Sequence, residues 1–226
     1  HTFLNYVVFV TFFPQLIAGP IVHHKEMMPQ FILNSNRCIN YQNVYLGIFI
    51  FTIGFFKKIQ SSEFFVFLDD AQFVKDRFDN RNKIRTVDGY RWLTVPLKRP
   101  VFLKKLNEIS ISYDANWQTE HCNLIFESYN KTNYFSSYWT SIKNIIEKKY
   151  KNLFELNIDL IKFVSSELKI STETVLSSEL NISEIKTQKL VSICSKLNAS
   201  HYISGISGHD YLEEKLFLES DIKLIY

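Results

Sequence analysis

Apolar and polar positions along this chain follow two different regimes. From Thr2 to Val22 there are 21 residues without a charge, and from Cys38 to Phe56 there are 19 more, ending at Lys57 and Lys58. Runs of that length match the hydrocarbon thickness of a bilayer, and lysines just past an apolar run are the usual cytoplasmic anchor. Pro14, Gly19 and Pro20 interrupt the first run, because proline removes a backbone donor and clashes with the preceding turn. The pattern predicts a helix over about Phe3–Phe13 and an irregular stretch over Pro14–Pro20. A pair of buried core helices is the bland alternative, but two such runs in one short segment favour a membrane. A basic n-region and a small-residue cleavage site are both missing, which disfavours a signal peptide.

After Lys58 the period shortens into alternating strands and amphipathic helices. Phe64–Leu68 is a continuous apolar run ending at Asp69 and Asp70, the signature of a buried strand. Lys83–Val87 and Tyr90–Leu97 flank Asp88-Gly89, a strong hairpin signal, and Glu108–Tyr113 alternates as a short strand. Trp139, Ile142, Ile146, Tyr150 and Leu153 share one helical stripe, and Leu160, Ile161, Val164 and Leu168 share the next. Thr174–Leu176, His201–Ser204 and Ile222–Tyr226 read as strands, with helices over Ile185–Leu197 and Asp210–Leu218. Strand–helix–strand repetition predicts an α/β fold: a mostly parallel sheet with flanking helices and a β-hairpin insertion, preceded by an α-helical membrane segment. The predicted division is a membrane piece over 1–56 and an α/β domain over 57–226.

Composition sharpens that seam. The chain has 226 residues with a formal net charge of +3, too small to argue nucleic-acid binding, which needs a concentrated basic face. Only Lys25, Glu26 and Arg37 are charged in residues 1–56. Cys38, Cys122 and Cys194 stand far apart without a CxxC, so neither a disulfide framework nor a zinc ribbon is encoded. Residue 1 is His, so the start of the reading frame is expected to lie upstream.

Function in such sheets collects at the carboxyl ends of strands. Three clusters lie there. Asp69, Asp70 and Gln72 follow the first strand; they are paired carboxylates for acid/base chemistry or, on the bland view, caps and solvated acids. Asn80, Arg81 and Asn82, with Lys98 and Arg99 beyond the hairpin, offer a guanidinium fork for phosphate or carboxylate, or simply turn residues. Ser204, Gly205, Ile206, Ser207 and Gly208 sit between a strand and a helix, where glycines let backbone N–H groups approach an anion, although many strand–helix turns carry glycine. His121 beside Cys122 is a base or nucleophile pair or a packed histidine. No Ser/His/Asp triad, P-loop, metal site or cofactor box is present. His23-His24-Lys25-Glu26 is not HExxH.

Two resemblances add to this reading. FFPQLIAGP at Phe12–Pro20, then Pro29-Gln30-Phe31 and Tyr45–Lys58 with its G…F..G.FKK pattern, resemble the membrane-bound O-acyltransferases of the alginate and D-alanyl-lipoteichoic acid type. That resemblance covers roughly residues 1–58 and omits the segment carrying the family's reactive histidine, so it implies a fragment without acyltransferase activity; His23 and His24 stand at an interfacial position. From Gly54 onward, GFFKKI, FVFLDDAQF, NRNKI, RWLTVPLK, Trp117…His121, Tyr129 with NYF, SSEL and YISGISGHDYLEEKLF resemble, in order, the WbqC-like proteins of bacterial surface-polysaccharide loci. That family is presumed enzymatic, with aminoacyl (glycyl) transfer to a sugar sometimes suggested.

Carried over residue by residue, this resemblance implies catalytic roles for Asp69, Asp70 and His121. It implies substrate-binding roles for Gln72, Asn80, Arg81, Asn82, Lys98, Ser204, Gly205, Gly208 and Tyr211. The family's opening His-Gln-Pro element is replaced here by the membrane text, which implies a sheet without its first strand and apolar surface left on Phe64–Leu68. Both families have a G-F-[FL]-K-K segment at the join, so a natural fusion and a chimeric reading frame stand side by side. The expected function is a transferase of surface-polysaccharide biosynthesis. The alternatives are a membrane-tethered binding module and a truncated O-acyltransferase. The expected substrate is a phosphorylated or nucleotide-linked sugar, and the expected location is the bacterial inner membrane through residues 3–56, with 57–226 cytoplasmic. The sequence names no cofactor and no metal.

Overall fold

A computed structural model describes residues 54–74, 79–86 and 88–226. The predicted membrane helix over Phe3–Phe13, the irregular Pro14–Pro20, and His23 and His24 lie outside the described residues. Among the described residues no helix is long and apolar enough to cross a membrane. In chain order the elements are a helix over 54–60 (α1), strand Phe64–Phe67 (β1), strands Arg81–Thr86 (β2) and Gly89–Thr94 (β3), and helices Trp117–Tyr129 (α2), Phe135–Glu147 (α3) and Leu153–Glu167 (α4). Then come Glu173–Leu176 (β4), Lys186–Lys196 (α5), His201–Ile203 (β5), Glu214–Glu219 (α6) and Lys223–Ile225 (β6). The described residues fall into two compact units, one formed by 69–171 and the other by 54–68 together with 172–226.

The predicted single, mostly parallel sheet is corrected. Among the described residues there are three two-stranded sheets: β1 with β4 and β5 with β6, both parallel, and β2 with β3, antiparallel. The strands of the parallel pairs are three or four residues long, too short to build a wide ladder. Phe64–Leu68 is likewise only half-buried except at Phe67, where the apolar run predicted a fully buried strand.

In the unit of 69–171, the hairpin forms where Asp88-Gly89 predicts it. Gly89 adopts φ +126°, a conformation that a side chain would strain. Alternation puts Ile84 and Leu93 inside, while α2, α3 and α4 contribute Trp117, Ile125, Ile142, Ile146, Leu153 and Leu156 to the same core. The stripe from Trp139 to Leu153 is not one helix. α3 stops at Glu147 because Lys148 turns to an extended backbone (ψ 140°). α4 then restarts at Leu153 under a capping box of Asn152 and Glu155, which satisfies two orphan donors at a helix start. The predicted strand Glu108–Tyr113 is a 3-10 turn, Leu106–Glu108, followed by extended chain. This chain bridges Leu97 to Ile111 and Ser110 to Asn152.

In the unit of 54–68 and 172–226, β1 and β4 pair in register from Phe64↔Glu173 to Phe67↔Leu176, and Thr172 Oγ1 donates to the Ile59 carbonyl at 2.6 Å. A separate apolar cluster of Leu190, Val191, Cys194, Leu212, Phe217 and Ile222 holds α5, α6 and β6. The predicted helix over Asp210–Leu218 divides into a 3-10 turn, Ile206–Asp210, and the six-residue α6.

Candidate functional site

The candidate site is built at the base of the β2–β3 hairpin, where polar side chains are buried together with α2 and α4. Asn80 extends the ladder by one rung: its carbonyl accepts from Val95 N at 2.8 Å and its Nδ2 donates to Val95 O at 3.0 Å. Arg81 pairs in register with Thr94, and its guanidinium lies 4.8 Å from the Trp92 ring centroid. Asn82 is buried, with Oδ1 accepting from Lys83 N at 2.8 Å.

Helix α2 lies along this hairpin, and its rise explains the match. The His121 ring lies beside the Thr94 backbone, and the Tyr129 hydroxyl accepts from Arg85 N at 3.0 Å. The eight helical steps from His121 to Tyr129 rise about 12 Å, and the four strand steps from Arg81 to Arg85 advance about 13 Å. The two contacts therefore stay in step. The register sets Thr94, the pairing partner of Arg81, against His121, with Asn82 on the buried face of the hairpin and Arg81 on the other.

His121 is buried, its Nδ1 has no hydrogen-bond partner, and its ring meets Trp117 edge-on at 5.1 Å. Burial drives its pKa down to about 4, against a smaller upward effect of the Thr94 backbone. At neutral pH it is an uncharged imidazole with a lone pair available to accept a proton. Cys122 is a poor nucleophile beside it: burial, and next the Glu147 carboxylate, push its thiol up to about 11, where little thiolate exists at pH 7. Asn157 is a further buried polar residue of this unit. It is fully enclosed on α4, Nδ2 donates to the Asp79 carbonyl at 3.2 Å, and Oδ1 lacks a partner.

The paired carboxylates occupy a second place in the same unit. The segment from Asp69 to Phe73 runs against 104–107, with Phe73 N donating to Lys104 O, Leu106 N to Ala71 O and Asn107 N to Asp69 O. Asp69 is buried and its Oδ2 accepts from Asn107 Nδ2 at 3.0 Å. Asp70 is half-buried and Gln72 is exposed. Lys98 is exposed, with its backbone N donating to Ser110 O at 2.9 Å.

The remaining predicted residues lie in the other compact unit. Ser204 is buried, its N donates to Ile225 O at 2.7 Å and its Oγ donates to Gly205 O at 3.1 Å. Burial raises the Tyr211 phenol, and the Ser204 hydroxyl opposes that shift. Gly205 has an ordinary extended backbone (φ −88°). Gly208 is required for space: a Cβ there would collide with Ser204 Oγ and come within 3.0 Å of Leu212 and Tyr226. The Gly208 N–H is bonded to Gly205 O at 2.7 Å, so this loop is closed on itself by the very groups that could face an anion. Among the described residues no group of three or more His, Cys, Asp or Glu is placed to hold a metal ion.

Sequence reasoning missed Asn107, Asp79, Thr94 and Asn157. Asn157 had a visible signal, a polar residue inside the apolar run of α4. Thr94 and Asn107 had none, because their partners are set by tertiary contact.

The chain is 30% identical to an uncharacterized protein of Mycobacterium tuberculosis over 175 residues, which is 76% of this chain and 75% of that protein. It is 48% identical to a peptidoglycan O-acetyltransferase of Helicobacter pylori over 92 residues, 41% of this chain but only 16% of that enzyme. No solved structure matches it. Residues 48–226 match the family model of the WbqC-like proteins, and the chain belongs to the WbqC-like protein family.

Proposed function

We propose that this protein is a transferase acting on bacterial cell-surface polysaccharide, moving an acyl-type group, aminoacyl included, onto a sugar. Membership of the WbqC-like family and the similarity to a peptidoglycan O-acetyltransferase support that class. The observation that carries the mechanism is the burial of a neutral His121 beside Thr94, the register partner of Arg81. Acyl transfer to a hydroxyl or amine requires a group that takes the proton of the attacking nucleophile, and the unpartnered His121 Nδ1 is such an acceptor. Arg81 and Lys98 supply charge for a phosphorylated or nucleotide-linked sugar. Asp69 and Asp70 form the acidic pair, and Asn80 and Asn82 hold the backbone on either side of Arg81 through Val95 O and Lys83 N. Residues 3–56 tether the chain to the bacterial inner membrane, with 57–226 on the cytoplasmic face.

The test compares surface polysaccharide from the source bacterium with and without the gene by mass spectrometry. The gene deletion loses an acyl substituent. The wild-type gene restores it, and a His121→Gln variant or a paired Asp69→Asn, Asp70→Asn variant does not. An unchanged polysaccharide in the deletion strain ends the transferase reading.

A second reading, a membrane-tethered binding module, is favoured by one observation: Asp69 and His121 are only 2% and 6% exposed. Full restoration of the substituent by both variants would leave those residues structural and move the protein toward this second role.

A further inference from the structure

The two faces of the β2–β3 hairpin differ in chemistry. Register places Arg81 opposite Thr94, Lys83 opposite Trp92 and Arg85 opposite Tyr90, while Asn82 faces Leu93 and Ile84 faces Arg91. Successive strand residues point to opposite sides. Asn82, Ile84 and Leu93 are buried, so their side is the inner one. The other six residues form the outer face, on which Tyr90 is 58% and Trp92 is 42% exposed. That face contains three cations, two aromatic rings, a threonine and no carboxylate.

The aromatic rings hold the cations in place. Lys83 Nζ lies 4.1 Å from the Tyr90 ring centroid and 4.9 Å from that of Trp92, and the Arg81 guanidinium lies 4.8 Å from Trp92. A cation over an aromatic face is attracted by the ring quadrupole. Ordering a free lysine or arginine costs rotamer freedom, and here part of that ordering is in place before any ligand arrives. Lys83, Arg85 and Tyr90 extend away from the hairpin base toward its tip, so the face reaches beyond the buried cluster around His121.

We propose that this outer hairpin face binds an acidic segment of a polysaccharide, with its carboxylate or phosphate groups on Lys83 and Arg85 and its sugar rings against the exposed edges of Tyr90 and Trp92. The inference rests on the polysaccharide reading above for its class of ligand, and adds the site and the charge that this ligand must carry. Single-stranded nucleic acid is the other polyanion of suitable charge. Its affinity comes from bases stacking on open aromatic faces, and these rings carry the Lys83 ammonium and the Arg81 guanidinium instead.

The test is direct binding to the full-length protein by isothermal titration, with polygalacturonate as the acidic glycan, dextran as the neutral one and an oligothymidylate as the nucleic acid. Polygalacturonate binds, binding weakens as salt is raised, and dextran does not bind. The paired Lys83→Gln, Arg85→Gln variant weakens polygalacturonate binding by about tenfold or more, and the charge-retaining Lys83→Arg, Arg85→Lys pair keeps it. The inference is overturned if wild-type protein ignores polygalacturonate, or if the neutral pair binds it as well as the wild type does. It is equally overturned if the charge-retaining pair loses binding, or if the oligothymidylate binds more tightly than the glycan. Binding is read without turnover, so this result and the fate of the acyl substituent in the source bacterium are decided separately.

Discussion

The two compact units bury different things. Among the described residues, six of the nine buried polar or charged side chains, Asp69, Asp79, Asn82, Ser112, His121 and Asn157, belong to 69–171; Ser177, Thr187 and Ser204 belong to the other unit. A buried polar group without a full set of partners destabilises a fold by about 1–3 kcal/mol. In 69–171, His121 Nδ1, Asn157 Oδ1 and Trp117 Nε1 are such atoms. The other unit contains none among the described residues and is held by the apolar cluster around Phe217 and by the close fit of Gly208. The contrast separates a unit that buries polar groups at some cost in stability from one organised by packing.

The strongest way to break this comparison is to remove the packing unit's centre. Phe217 is fully buried, and Phe217→Ala is expected to cost about 3–5 kcal/mol. All three tryptophans, Trp92, Trp117 and Trp139, lie in 69–171, so their fluorescence reports that unit alone, whereas circular dichroism reports both. The variant shifts the dichroism transition in urea and leaves the fluorescence transition in place. Transitions that move together would show that the two units unfold as one.

The next largest effect tests the polar unit by pH. His121 titrates near 4 in the fold against 6.5 when free, so folding favours its neutral form. That contribution is full above pH 6.5 and is lost as pH falls through the interval from 6.5 to about 4. It amounts to on the order of 3 kcal/mol. Urea unfolding followed by tryptophan fluorescence at pH 7 and pH 4.5 shows this loss, and His121→Gln removes most of the difference. A wild-type stability that stays flat across that interval would mean the imidazole is charged or exposed.

The smallest expected effect sharpens the packing side. Gly208→Ala places a methyl against Ser204 Oγ, Leu212 and Tyr226, an overpacking worth about 1–3 kcal/mol. Ser204→Ala opens the crowded side, so the double variant recovers part of that loss. Absence of any recovery in dichroism-detected unfolding would place the strain elsewhere.

Much of the local structure was legible in the chain itself. Asp88-Gly89 between alternating segments specified the hairpin, because few residues accept the backbone of a tight turn. The run from Ile185 to Leu197 specified α5 to within a residue at each end. The break between α3 and α4 was also written there, in Asn152 and Glu155 three residues apart, but the longer apolar stripe masked it. The breadth of the sheets was not legible, since a short apolar run shows that a strand exists without showing which strand will pair with it.

The site divides along the same line. The residue types at 69, 70, 80–82, 98, 121 and 204–211, and their resemblance to the WbqC-like motifs, belong to the sequence by itself, as do the charge-poor residues before Lys57. Only the tertiary structure put His121 at the Thr94 backbone, Asn157 on Asp79 and Asn107 on Asp69. It also assigned the Ser204–Tyr211 loop and the Arg81 group to different compact units. The physical reason is range: turns, caps and periodicity act over a few residues, whereas burial, a depressed imidazole pKa and a side chain with no partner depend on segments tens of residues away arriving at the same place.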